Sequence, residues 1–152
     1  KIIDVREKFK REVVGYFLKE YTQGKTPNPC IFCNENIKFK ILLAEMLSMD
    51  VDYIATGHYA KIIKKSGKYV LAMAEDKKKD QSYFLYRLKE KQLSKIMFPL
   101  GQYKKNVVRK KAQEFKLMVA NKKESQDICF LNQSCTKQFL KKNISLKKGP
   151  IV

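Results

Sequence analysis

Val51-Asp52-Tyr53-Ile54-Ala55-Thr56 is a short, mostly apolar run that gives way at once to Gly57-His58. Such a run suits a buried parallel strand whose carboxyl end opens into a loop. Ligands bind at such ends, in the crevice of an open α/β sheet. Upstream, Ile37, Ile41, Leu42 and Met46 fall on the inner face of a helix expected to start after Asn34. Downstream, Ala60 to Ile63 and Lys68 to Met73 read as a strand pair turning at Ser66-Gly67, and Ser82 to Leu93 reads as a helix. A further helix runs from about Asn106, a good N-cap, through Val107, Val108, Ala112 and Phe115. The mixture predicts an α/β domain.

Farther out, Val5, Phe9, Val13, Phe17 and Tyr21 recur at four-residue spacing and line one face of an N-terminal helix that Gly24 ends. Thr26-Pro27-Asn28-Pro29 follows, and its two prolines predict an extended, rigid loop that delivers Cys30 and Cys33 just before the next helix. At the other end, Thr136 to Lys142 reads as a helix followed by a basic tail.

The chain of 152 residues has room for one domain with a real core, or for one domain and the start of a second. It carries a formal charge of +18, from 33 basic against 15 acidic residues, and such an excess attracts polyanions, nucleic acid first among them. Nearly all the bases are lysines, however, with only Arg6, Arg11, Arg87 and Arg109 as arginines, which an AT-rich genome places on any solvated surface. Charge alone does not decide the function. No apolar run is long enough to span a bilayer and no signal layout opens the chain, so a cytoplasmic protein with no membrane partner is expected.

That compartment disfavours structural disulfides among the four cysteines, Cys30, Cys33, Cys129 and Cys135. Cys30-Ile31-Phe32-Cys33 supports three readings: a redox pair or nucleophile, two ligands of a metal or iron–sulfur site with Cys129 as a third, or two inert buried thiols. Structural zinc lacks a fourth ligand. Cys129 lies in the polar, lysine-led segment Lys122 to Phe130, where nearby positive charge favours a thiolate, although a cysteine between Ile128 and Phe130 also suits plain packing. His58 is either a structural histidine or, by its place after the strand, part of a site. Lys79-Asp80-Gln81-Ser82 offers a cation, a carboxylate and an amide to phosphates and base edges, or is an ordinary solvated loop.

Read in order, the segments Gly24 to Asn34 (GKTPNPCIFCN), Ile37 to Phe39, Asp52 to Ala60 (DYIATGHYA), Lys79 to Tyr86 (KDQSYFLY), Phe98 to Gly101 (FPLG) and Ser125 to Phe130 (SQDICF) resemble the tRNA-specific 2-thiouridylase family. The resemblance implies a partial PP-loop domain, Rossmann-like, over 1–133, and the start of a central linker domain over 134–152. It implies that ATP, with Mg2+, adenylates the 2-carbonyl oxygen of a wobble uridine, after which a persulfide delivers sulfur to that carbon. On this analogy Cys129 carries the persulfide and Cys33 attacks or resolves it through a disulfide. Asn28, Pro29 and Cys30 match the stretch that meets the target base, Gly57 matches an ATP contact, and His58, Lys79, Asp80 and Gln81 match tRNA-contacting positions. The implied partners are tRNA and a sulfur-relay protein or cysteine desulfurase.

Two departures stand out. Many members carry aspartate where this chain has Cys30, and the cysteine variant resembles members in which Cys30, Cys33 and Cys129 would hold a 4Fe-4S cluster. The family's Ser-Gly-Gly-x-Asp-Ser nucleotide loop and its C-terminal β-barrel are not seen in the sequence, so a fragment inactive by itself is expected. Two other readings remain: a non-catalytic basic RNA-binding module, for which Tyr83, Phe84 and Tyr86 would stack bases although their spacing suits core packing better, and a related PP-loop sulfurtransferase with another substrate.

Overall fold

A computed structural model describes residues 2–121, 128–131 and 135–145. The chain divides into two compact units, one within Lys1–Cys33 and Glu124–Val152, the other Asn34–Lys123.

In the first unit the N-terminal helix forms as the four-residue spacing predicts. It runs through α1 (Arg6–Phe9), a π-helical turn (Lys10–Val14) and α2 (Gly15–Thr22). Gly24 ends it at φ 71°, its N–H donating to the Tyr21 carbonyl and the Lys25 N–H to the Glu20 carbonyl. Val13 and Phe17 are fully buried on its inner face. Phe17 meets Tyr21, Phe130 and Phe139 edge-on at centroid distances of 4.9, 5.3 and 6.2 Å, and Phe9 meets Phe130 at 6.0 Å. α7 (Thr136–Asn143) joins this cluster through Phe139 and buries Leu140. The fully buried Phe17 ring contributes roughly 3–5 kcal/mol, as its truncation to alanine would reveal.

The loop before the cysteines differs from expectation. Pro29 is not the end of an extended stretch but the first residue of α3 (Pro29–Cys33), where its missing N–H costs nothing. Asn28 caps this helix, its side-chain oxygen accepting from the N–H groups of Cys30 (3.1 Å) and Ile31 (3.4 Å). The second unit opens on a π-helical stretch (Asn34–Phe39) that leads into α4 (Lys40–Ser48).

In the second unit β1 is only Ile54–Ala55, paired in parallel with β4 (Ile96–Met97). Its predicted flanks, Val51 and Tyr53, are exposed, so the strand is neither long nor buried on both faces. β2 (Lys61–Lys65) and β3 (Lys68–Ala72) pair antiparallel about Ser66-Gly67, both at positive φ, as the turn residues predict. The core gathers Phe39, Ala60, Leu85, Leu88, Leu93, Ile96 and Phe98.

Ser82 to Leu93 is not one helix. It is a 3-10 turn (Ser82–Phe84), a loop and the short α5 (Glu90–Leu93), because Leu85 and Leu88 reach the core while Tyr83 and Tyr86 stay out. Tyr83 and Tyr86 are 63% and 58% exposed, against the core packing their spacing suggests. A second 3-10 turn (Pro99–Gln102) leads to α6 (Lys105–Glu114). Asn106 lies inside α6 and does not cap it; the Asp76 carboxylate instead accepts the Lys105 N–H at 2.9 Å. Gly101 sits against the Ala60 carbonyl so tightly that a Cβ there would fall 1.7 Å from its oxygen.

Candidate sulfur and tRNA site

Two groups of residues emerge, one in each unit. In the first, Cys30 and Cys33 are half-buried on α3, while Cys129 and Cys135 are exposed, and none of the four forms a disulfide. Pro29 and Ile31 are buried, and Phe32 stacks on Tyr16 with centroids 4.7 Å apart and planes 13° apart. Cys129 is set by its neighbour Phe130, wedged against Phe9, Phe17 and Phe139, and by buried Leu131. Both cysteine segments are therefore anchored to consecutive residues, Tyr16 and Phe17, of one helix. The rest of the predicted SQDICF phrase, 125–127, lies outside the described residues.

The three cysteines do not form a ready metal site: among the described residues no three His, Cys, Asp or Glu side chains gather as a metal-ion group.

The second group lies at the carboxyl end of β1. Gly57 is exposed, and a Cβ there would only touch Leu100 at 3.7 Å, so packing does not demand the glycine. His58 is buried between Phe39 and Phe98. Its Nδ1 lies 2.8 Å from Thr56 Oγ1 and its Nε2 3.4 Å from Lys38 Nζ. An ammonium only donates, so Nε2 accepts and Nδ1–H donates to the hydroxyl. Burial first, and the Lys38 charge second, push the imidazole down to about 4. It is neutral at physiological pH.

Asp80 and Gln81 have their side chains committed within the chain. Asp80 accepts from the Ala74 N–H (2.7 Å) and the Ser82 hydroxyl (2.5 Å). Gln81 accepts the Tyr59 N–H on its Oε1 (2.9 Å) and donates its own N–H to the Tyr59 carbonyl (2.7 Å). Lys79 is half-buried, its N–H closing a turn on the Asp76 carbonyl. The fold thus ties the loop after β1 to the Lys79-Asp80-Gln81 loop through Tyr59. Asp80 and Gln81 hold these loops in shape, a role the sequence did not disclose.

Sequence reasoning also missed Lys38 and Thr56 as the partners of His58. Thr56 was within reach, since residues two apart share a face of an extended chain; Lys38, twenty positions away, carried no signal. Asn34, read only as a helix start and part of a phrase, is buried; among the described residues its Oδ1 has no hydrogen-bond partner, while its Nδ2 donates to the Phe84 carbonyl (3.3 Å).

Residues 1–133 match the family model described as the tRNA methyl transferase HUP domain, a Rossmann-like fold. The chain is 49% identical over 151 residues to the tRNA-specific 2-thiouridylase MnmA of Syntrophomonas wolfei, covering 98% of this chain and 44% of that protein. It is 48% identical over 142 residues to the enzyme of the same name from Carboxydothermus hydrogenoformans, covering 92% and 39%. It is 46% identical over 140 residues to tRNA-specific 2-thiouridylase MnmA 1 of Clostridium botulinum, again covering 92% and 39%. The chain spans less than half the length of these relatives. Among the described residues no helix is long and apolar enough to cross a membrane.

Proposed function

The chain belongs to the tRNA-specific 2-thiouridylase family, and from that premise we propose that it carries the sulfur-handling residues of a tRNA uridine 2-thiolation site. The supporting observation is that Phe32 and Phe130, each next to a candidate cysteine, dock on adjacent residues of one helix. This gives Cys33 and Cys129 a common rigid support.

In the proposed reaction ATP serves as co-substrate, turning the uridine 2-oxygen into an adenylate leaving group. Cys129, exposed at the surface, receives sulfur as a persulfide from a cysteine desulfurase or relay protein. Its terminal sulfur attacks uridine C2, and the C–O bond to AMP breaks. The Cys33 thiolate then attacks Cys129 Sγ, so the S–S bond to the transferred sulfur breaks, 2-thiouridine departs and a Cys33–Cys129 disulfide remains. An external thiol returns both to thiols. Asn28, as the cap of α3, holds Pro29 and Cys30 where the target base would enter. Gly57, His58 and the Lys79-Asp80-Gln81 loop form the tRNA- and nucleotide-facing part. Residues 1–133 form the catalytic domain in this reading, and 134–152 begin the next.

The test is mass spectrometry after incubation with a desulfurase and cysteine. Persulfide is expected on Cys129 in the parent and in Cys33→Ser, and 2-thiouridine formation by the full-length protein is abolished by either substitution. Equal persulfide on a Cys129→Ser variant, or thiolation that survives Cys129→Ser, rules the scheme out, and a parent that binds tRNA without thiolating it favours a binding module. Anaerobic iron and sulfide analysis gives no stoichiometric iron in this reading.

A further inference from the structure

In the thiolation reaction Cys30 makes and breaks no bond, yet it stands three residues before Cys33 on α3. We propose that Cys30 is the recycling thiol of the site: it attacks the Cys33 sulfur of the Cys33–Cys129 disulfide and leaves a Cys30–Cys33 disulfide in its place. The inference rests on the thiolation reading and adds a step between its disulfide and the external thiol.

The pairing follows from how α3 is held. Asn28 Oδ1 accepts the Cys30 and Ile31 N–H groups at 3.1 and 3.4 Å, which fixes the first turn. Pro29 and Ile31 are buried and Phe32 stacks on Tyr16, so these residues tie the helix to the rest of its unit. The two that remain, Cys30 and Cys33, are both half-buried, and neither is in a disulfide. Three positions apart on a helix, they share a face. Helix geometry sets their Cα atoms about 5 Å apart, inside the range of about 4.4–6.8 Å that a disulfide spans. A slight tightening of the turn toward 3-10 geometry brings the Cβ atoms closer still. The same spacing serves thiol–disulfide oxidoreductases.

The step exchanges one disulfide for another and needs no oxidant. The Cys30 thiolate, its proton given to water, attacks Cys33 Sγ; the bond to Cys129 breaks, and Cys129 leaves with the electron pair as a thiolate. Cys129 is exposed, so water solvates the departing charge. Cys33 is the sulfur attacked because the helix holds Cys30 beside it, which makes the reaction intramolecular at high effective concentration. Cys135, the remaining thiol, is exposed and precedes a different helix, α7. Cys129 is thereby ready for the next sulfur before an external thiol acts, and that thiol then reduces a disulfide confined to α3.

The experiment is disulfide mapping after a single turnover. Full-length protein is loaded with persulfide by a desulfurase and cysteine, separated from both, and given ATP and an unmodified tRNA transcript with no external thiol. Remaining thiols are alkylated and the tryptic peptides are identified by mass. Residues 26–38 carry Cys30 and Cys33, and residues 124–137 carry Cys129 and Cys135. In the parent the 26–38 peptide should be lighter than its reduced form by two hydrogens, with the 124–137 peptide alkylated on both cysteines. Cys30→Ser should leave the two peptides joined through Cys33 and Cys129, and a second persulfide loading before any external thiol should fall about tenfold or more. The parent map decides the matter even where the variant does not turn over. Joined peptides as the parent's product overturn the recycling step and leave the thiolation reading intact. An oxidised 124–137 peptide beside a fully alkylated 26–38 peptide gives the role to Cys135 and also overturns it. If Cys129 takes no persulfide at the loading step, the thiolation reading fails and the recycling step with it.

Discussion

His58 is neutral because its ring is walled by Phe39 and Phe98 and faces the Lys38 ammonium. Its pKa is held near 4, below the ordinary 6.5, so the unfolded chain binds the proton more readily between those values. The stabilisation is complete above pH 6.5 and is lost as pH falls toward 4, at most about 3 kcal/mol. Urea unfolding at pH 7 and pH 4 should therefore show a fall in the parent that His58→Gln reduces. Gly101 makes a different demand. A Cβ would collide with the Ala60 carbonyl, and backbone cannot yield as a flexible side chain does. Gly101→Ala should cost more than about 2 kcal/mol, read from a denaturation midpoint.

The helix that carries Cys30 and Cys33 begins on a single side chain. Asn28 satisfies two N–H groups that would otherwise have no partner at its start. Asn28→Ala should lower stability by about 1 kcal/mol, with Asn28→Asp or Asn28→Ser restoring most of it. Faster amide exchange at Cys30 and Ile31 is the local readout. The same change should slow sulfur transfer without preventing persulfide formation on Cys129, because that segment is held by Phe130.

Over the whole molecule, the two units have separate cores. The first depends on an aromatic cluster with fully buried Phe17 at its centre, the second on Phe39, Ala60 and the leucines around them. Phe17→Ala should destabilise the first unit by roughly 3–5 kcal/mol. Hydrogen exchange should then rise over α1, α2 and α7 well before it rises in β2 and β3. Uniform loss of protection across the chain would show instead that the two cores unfold as one.

Local patterns were sufficient for the N-terminal helix, for its stop at Gly24, for the hairpin at Ser66-Gly67 and for α7, since each follows from the chemistry of neighbouring residues. The opening of β1 into a loop at Gly57-His58 was legible as well, through the residue types that surround it. Tertiary structure alone decided that Ser82 to Leu93 breaks into short turns, that Asp76 caps α6, and that Tyr83 and Tyr86 face water. It alone set Lys38 beside His58 and gave the two cysteine segments a shared helix. The reason is range: a turn or a cap is settled by residues a few positions apart, whereas burial and pairing depend on which distant side chains arrive at the same place.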